Sequence, residues 1–221
     1  MTTPTAPAGP APAALLAKLL EVNEKQIVPL TATGVASGSK VFGAAIFTRD
    51  GLEAHTVATN NERDSPLLHG EINCIQTFFA TPAEGRPATA DCIFFATHEP
   101  CSLCLSGITW SGFREFYYLF TYEDSRDLFA IPYDIDILES VFRVPAPGDT
   151  PATLAERPLY NKTNKFFTSA SLTDLVARIE DPAERAHWAA EVARVKALYR
   201  QLSETYQEGK KGGAATSSVW K

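Results

Sequence analysis

The residues of this chain that could do chemistry fall in two short stretches, His69-Gly70-Glu71 and His98-Glu99-Pro100-Cys101-Ser102-Leu103-Cys104. Cys101 and Cys104, three apart behind a proline, point from one face of a helix's first turn, where unpaired backbone N–H groups and the helix dipole favour thiolates. Two thiolates so spaced are half of a zinc site, and His69 offers a third ligand from the start of another apolar helical run. Three protein ligands leave one tetrahedral position open for water, which separates a catalytic zinc from a structural one. Glu71, two residues past His69, flanks that set without joining it, and its carboxylate can carry protons between water and a ring nitrogen. A structural zinc would instead need a fourth Cys or His, for which Cys74, Cys92 and His98 are the near candidates.

Such a set works only if the fold brings the two stretches together. An amphipathic helix is expected over 15–28, ending before Pro29. Val41 to Thr48 and Leu52 to Thr59 read as strands joined by an Arg49-Asp50-Gly51 turn. After a polar loop over 60–68, Ile72, Cys74, Ile75, Phe78 and Phe79 give the first motif helix an apolar face. Cys92 to Thr97 and Phe116 to Phe120 are short and apolar on both sides, as strands covered on both faces are, and the cysteine helix begins at Pro100 between them. This alternation predicts an α/β fold in three α/β/α layers around a central mixed β-sheet. Glu123 to Ala130 predicts a further helix, whereas 134–144 fits helix or strand equally by period.

Residues 145–158, rich in Pro, Ala and Thr, predict a linker. Beyond it a capped helix starts at Ser171, and a longer one at Asp181-Pro182 aligns Trp188, Val192, Val195, Tyr199, Leu202 and Tyr206 in one apolar seam. That seam must be covered, by its own domain or by a second copy of the chain. Docking on its own domain would carry Asn164 to Phe167 across the pocket mouth, with Phe166 or Phe167 as a lid. Residues 1–13 and 209–221 read as a disordered leader and tail, and the leader has neither a secretory nor a transit-peptide pattern.

The whole of 221 residues suits one sizeable domain with an appended helical piece. No apolar run approaches the roughly 18 residues of a membrane span. With two of the 4 cysteines already in the metal motif, no disulfide pair is expected, which points to a reducing, cytoplasmic compartment. A formal net charge of −6 disfavours a broad phosphate-binding face, so the expected ligand is small and nucleic acid is not the expected partner.

In order, H-x-E followed by P-C-x-x-C resembles the cytidine/deoxycytidylate deaminase superfamily, over about residues 41–130. His in the first motif is similar to the branch holding guanine deaminase, fungal cytosine deaminase, deoxycytidylate deaminase and tRNA adenosine deaminase. His69-Gly70-Glu71 looks like the fungal cytosine deaminase form, and Glu99-Pro100-Cys101 with Cys104 to Trp110 looks like guanine deaminase. The cytidine deaminase-like domain that carries this resemblance is expected over 14–144, and composition and period set a linker with a helical extension over 145–208. The resemblance implies Zn2+ on His69, Cys101 and Cys104, and Glu71 as the proton shuttle. Substrate contacts are implied for Asn60, with Asn61 as fallback, for Trp110, and for Glu123 and Asp124 after the strand that follows the cysteine helix. Core packing is the alternative for Trp110, and a solvated helix start for the two acids.

The activity so implied is zinc-dependent hydrolytic deamination of a nucleobase-like ring, of guanine or cytosine type or a related amino heterocycle or nucleoside, by a homodimer. A tRNA or RNA adenosine deaminase would need a basic rim that the acidic balance does not offer. A non-catalytic zinc-binding protein of this fold would have no use for Glu71.

Overall fold

In the computed structural model, which describes residues 9–213, 217 and 218, the first helical segment does not stop before Pro29. Helix α1, Pro12–Val22, buries Leu15, Leu16, Leu19, Leu20 and Val22, opens into one π-helical turn over Asn23–Ile27, and continues as α2, Val28–Ala36. Proline is excluded from helix interiors because it lacks a donor and crowds the preceding turn. Here the Val28 N–H reaches back to the Asn23 carbonyl in the wider register, so Pro29 stands in the first turn of a reset ladder where its donor is not required. Of the expected disordered leader, residues 12 and 13 already belong to α1, and 1–8 lie outside the described residues.

The sheet has five strands in the order β2-β1-β3-β4-β5. Strands β1, Gly43–Thr48, and β2, Ala54–Thr59, form an antiparallel hairpin. Helix α3, Gly70–Ala80, leads to β3, Cys92–His98, and helix α4, Ser102–Trp110, leads to β4, Glu115–Phe120, which runs parallel to β3. Because β1 is antiparallel to β3, with Ala44 opposite Ala96, the start of β1 lies beside the end of β3. One end of the sheet thus collects the residues before β1, the start of α3 and the start of α4.

Alternation along the strands splits the core in two. Ala45, Phe47, Ile93, Phe95, Tyr117 and Leu119 face α1, α2 and the C-terminal helices, while Ala44, Ile46, Phe94, Ala96, Phe116 and Tyr118 face α3 and α4. These are the expected three layers. Every residue of β3 is buried, which is why its sequence shows no polar alternation.

After β4, helix α5, Tyr122–Phe129, starts from a capping box between Thr121 and Asp124. The ambiguous stretch beyond it is helical: α6, Tyr133–Ile137, runs into a π turn over Leu138–Phe142. A short helix α7, Pro151–Ala155, interrupts the linker. The C-terminal third is more closely built into the domain than an appended piece, since β5, Thr168–Ser171, pairs in parallel with β4. Its sequence, Thr-Ser-Ala-Ser, has no strand signature, and pairing with a buried neighbour outweighs propensity there. Then follow α8, Leu172–Ala177, α9, Pro182–Ala197, and α10, Tyr199–Lys211, so the long helix expected after Asp181 is two. Val192, Val195, Tyr199, Leu202 and Tyr206 are buried in the core shared with α1, and Tyr199 donates to buried Asn23 Oδ1 at 2.6 Å. The seam is therefore covered by its own domain. Of the expected tail, residues 209–211 finish α10 and Ser217 and Ser218 return to the body of the protein, while 214–216 and 219–221 lie outside the described residues. Among the described residues no helix is long and apolar enough to cross a membrane.

The tightest approach in the fold lies where α3 begins. A Cβ on Gly70 would stand 2.8 Å from Gly43 Cα and 3.0 Å from the Phe42 carbonyl oxygen, backbone atoms that cannot rotate away. Gly70→Ala should therefore cost about 1–3 kcal/mol through overpacking and displace His69 and Glu71 on either side of it. Thermal melts and zinc content measured together check this, and wild-type values for both would mean that β1 gives way.

Candidate metal centre

Two helix starts meet at this end of the sheet. His69 is the extended residue immediately before α3, and Cys101 is the extended residue immediately before α4, with Cys104 one turn in. His69 Nδ1 lies 3.5 Å from Cys101 Sγ and 3.6 Å from Cys104 Sγ, and the three ligand atoms fall within 4.8 Å of one another. Tetrahedral zinc, with Zn–S of about 2.3 Å and Zn–N of about 2.0–2.1 Å, separates N from S by about 3.5–3.6 Å. The donors therefore fit zinc as they stand.

Among the described residues no fourth His, Cys, Asp or Glu joins the cluster. Cys74 directs its thiol to the Thr56 carbonyl at 3.7 Å, and Cys92 to the Ala88 carbonyl at 3.4 Å. His98 turns the other way, stacked on Phe120 with centroids 4.7 Å apart and edged by Phe42, Phe129 and Tyr199. Burial, aided by the Lys196 charge, holds its pKa well below the ordinary value, so it is a neutral core ring.

The electrostatics of the cluster follow from crowding titratable groups out of water. Glu71 is buried, and burial pushes its carboxyl up to about 7, with the Cys101 charge adding and His69 opposing. Cys101 is held well below the usual thiol range by a hydrogen bond from Cys104 and by His69, against the effect of burial. Cys104 rises well above that range, because burial and the Cys101 charge oppose a second thiolate. For His69, burial works against the proton, but the hydrogen bond and charge of Cys101 win and lift it to about 9. The ligands thus hold protons that a metal must displace.

A cavity of about 230 Å³ opens beside His69 and Cys101. Its walls are mostly apolar, from Phe42, Pro66, Leu67, Leu103, Ile131 and Ile137, with Lys40, Tyr133, Asp134 and Ser218 as polar points. A larger hollow of about 610 Å³, between α5 and α9–α10, contains none of the cluster residues.

The expected substrate residues are not brought to this cavity. Asn60 is buried but lines a different hollow; its Oδ1 accepts the Gly70 N–H at 2.5 Å and its Nδ2 donates to Glu62 Oε2 at 3.2 Å, so it clamps the start of α3. Asn61 pairs with Asp64 on the surface. Trp110, at the end of α4, is 91% exposed and belongs neither to the core nor to the cavity. Asp124 closes the capping box of α5 and pairs with Lys196 at 2.7 Å, and Glu123 borders a separate polar hollow. Both acids lie at the start of α5, and neither lines the cavity. Phe167 packs on Phe116 and Tyr160 while Phe166 is exposed, and neither lines the cavity, so the expected lid is absent among the described residues.

The acid that does line the cavity is Asp134, one helix later. It is buried, its carboxylate takes no hydrogen bond from the described residues, and burial with the Cys101 charge pushes its pKa well above the ordinary value. A signal existed in the sequence: Asp134 shares the buried face of a short helical stretch with Ile135 and Leu138, an improbable place for an acid without a function.

Residues 25–120, which contain both motif stretches, match the family model of the cytidine and deoxycytidylate deaminase zinc-binding region. This stretch is such a region, and with the His/Cys/Cys cluster it makes zinc the metal of this chain. Guanine deaminase of Bacillus subtilis (strain 168) is 30% identical over 107 residues, a match covering 47% of this chain and 65% of that protein, just under two thirds of its length. A solved guanine deaminase structure from Bacillus subtilis aligns over 66% of this chain and 86% of its own, at 27% identity and a TM-score of 0.46. The guanine deaminase of Nitrosomonas europaea aligns over 89% of each chain, at 22% identity and a TM-score of 0.43.

Cys101→Ser and Cys104→Ser should each lower zinc content well below the wild-type level, and with it the stability that binding contributes. Apparent zinc affinity should strengthen as pH rises toward 9, the value to which His69 is lifted, because metal and protons compete for the same atoms. Metal analysis and a chelator titration across pH read both effects; full occupancy in both serine variants would remove these residues from the ligand set.

Proposed function

We propose that this protein is a zinc-dependent hydrolytic deaminase that replaces an exocyclic amine on a nucleobase-like ring by a carbonyl and releases ammonia. His69, Cys101 and Cys104 hold the metal in this reading, and Glu71 carries the protons. The observation that supports it most is a buried carboxyl, Glu71, beside a three-donor cluster that opens on a small, mostly apolar cavity. Guanine heads the candidate rings, because the relative 30% identical over 107 residues is a guanine deaminase.

Zinc, when bound, supplies Lewis acidity that makes water a nucleophile near neutral pH. The residues of the chain do the rest. Glu71, with a carboxyl poised near 7, can both take a proton and return it at neutral pH, to the ring nitrogen and then to the departing amine. In the balance one C–O bond forms and one C–N bond breaks; one proton of water stays on the ring nitrogen and the other leaves with the amine as ammonia. Asn60 fixes the turn that carries Glu71 by holding the Gly70 N–H. Asp134 offers its carboxyl to the polar edge of the ring, and the apolar walls keep competing water out.

Glu71→Gln should retain zinc and fold while ammonia release falls by about 10²–10⁴-fold, the usual worth of positioned proton transfer. Asp134→Asn should keep zinc and raise KM by about 3–10-fold, the worth of a hydrogen bond between neutral groups. The assay is ammonia release over guanine, cytosine, adenine and their nucleosides. Wild-type turnover by Glu71→Gln on the substrate so found would refute the proton-carrier role.

A further inference from the structure

Lys40 is not part of either motif, yet it is the only lysine or arginine among the described residues that line the cavity, and its side chain is only 7% exposed. A buried ammonium must have its three N–H donors occupied or it is costly to keep. Nζ donates to Glu62 Oε1 at 2.5 Å and to Ser218 Oγ at 2.6 Å, which accounts for two. No acceptor among the described residues takes the third.

The ammonium is held where it is. Glu62, buried more deeply still, also accepts the Lys40 backbone N–H at 2.7 Å and a hydrogen bond from Asn60 Nδ2 at 3.2 Å, so both of its oxygens are committed. Burial alone would raise the Glu62 pKa, but the Lys40 charge and hydrogen bonds outweigh it and keep the carboxylate ionised. Lys40 and Glu62 together are neutral, and Asp134 stands across the same cavity. A phosphate or carboxylate would therefore meet no net positive charge, whereas a neutral carbonyl oxygen would still gain a hydrogen bond from a cationic donor. Volume points the same way: about 230 Å³ is below the roughly 300 Å³ at which pockets for drug-sized ligands begin, which suits a free base better than a nucleotide.

We infer that Lys40 determines which ring is accepted, by donating a hydrogen bond to an oxo oxygen of the substrate, and that Glu62 is the residue that positions it. The inference rests on the deaminase reading for its chemistry and extends it to a substrate class, free bases that carry an oxo group as well as the amine that is lost.

The test compares guanine with 2-aminopurine, which keeps the purine skeleton and the amine but has hydrogen in place of the oxo oxygen and no proton on N1, so the change in preference between wild type and variant is what reports on Lys40. Because Lys40→Met alone would strand a buried carboxylate, the variant is Lys40→Met with Glu62→Gln, checked for zinc content and melting temperature. Binding by calorimetry and ammonia release are measured on the zinc-loaded full chain. Wild type should favour guanine over 2-aminopurine by about 10–100-fold, the worth of a hydrogen bond to a charged donor. The double variant should lose that preference through KM, with kcat retained. A preference unchanged in the variant, equal losses on both rings, or no preference in wild type would each overturn the role of Lys40. Should wild type release ammonia from neither ring yet bind guanine with a preference that the variant abolishes, the deaminase reading fails and the Lys40 assignment stands.

Discussion

Everything at the site depends on how closely the first turn of α3 lies against the start of β1. Gly70 touches the backbone of Phe42 and Gly43, and the facing glycine leaves no side chain between helix and sheet. Only at that separation does His69 reach the two sulfurs at the start of α4, 3.5 and 3.6 Å away. The Asn60 amide fastens the same turn from below through the Gly70 N–H. A metal site assembled from two helix starts gains from their unpaired N–H groups, which favour thiolate, but its precision comes from the sheet that sets the distance between the helices.

That end of the protein also concentrates charge away from water: Glu71, Asp134, and the Lys40–Glu62 pair are all buried. Each costs stability unless it is paired or bonded. The Lys40–Glu62 pair is compensated within itself, whereas the carboxyls of Glu71 and Asp134 are pushed toward their neutral forms. The offset comes from the opposite face of the sheet, where a continuous aromatic and aliphatic layer joins Phe95, Phe120, Phe129 and Tyr199 to the helix that opens the chain. Strain at the site and dense packing behind it belong together.

How legible was this in the sequence? The metal cluster, the three layers and both motif helices could be read because each rests on local rules: thiolate spacing, apolar period, proline at a helix start. The π turn that carries the first helix past Pro29 could not, since its register depends on packing around Asn23 and Ile27. Strand β5 was hidden for a similar reason, being four small residues, three of them polar, recruited by the open edge of β4. Trp110 and the Glu123-Asp124 pair were assigned by their place after a motif, but that place does not say which way a helix end turns. Asp134 and Lys40 lie 65 and 29 residues from His69 in number alone, and only the antiparallel entry of β1 and the return of α6 bring them to one cavity.

The cavity has two kinds of wall, and they differ in what can change without loss of the metal. The metal side is built from regular helices fixed by glycine contact and a capping amide. The opposite side comes from the residue run before β1, the loop around Leu67 and the short helix α6. Substitutions on the second side alter the shape and polarity met by a ring while the distances among His69, Cys101 and Cys104 stay set by α3, α4 and the sheet. Specificity located on connecting segments and chemistry on rigid elements is how one scaffold accommodates different rings. Under the deaminase reading the choice of ring would rest with Lys40 and Asp134, two groups outside the metal motifs, so motif resemblance alone names the reaction more firmly than it names the substrate.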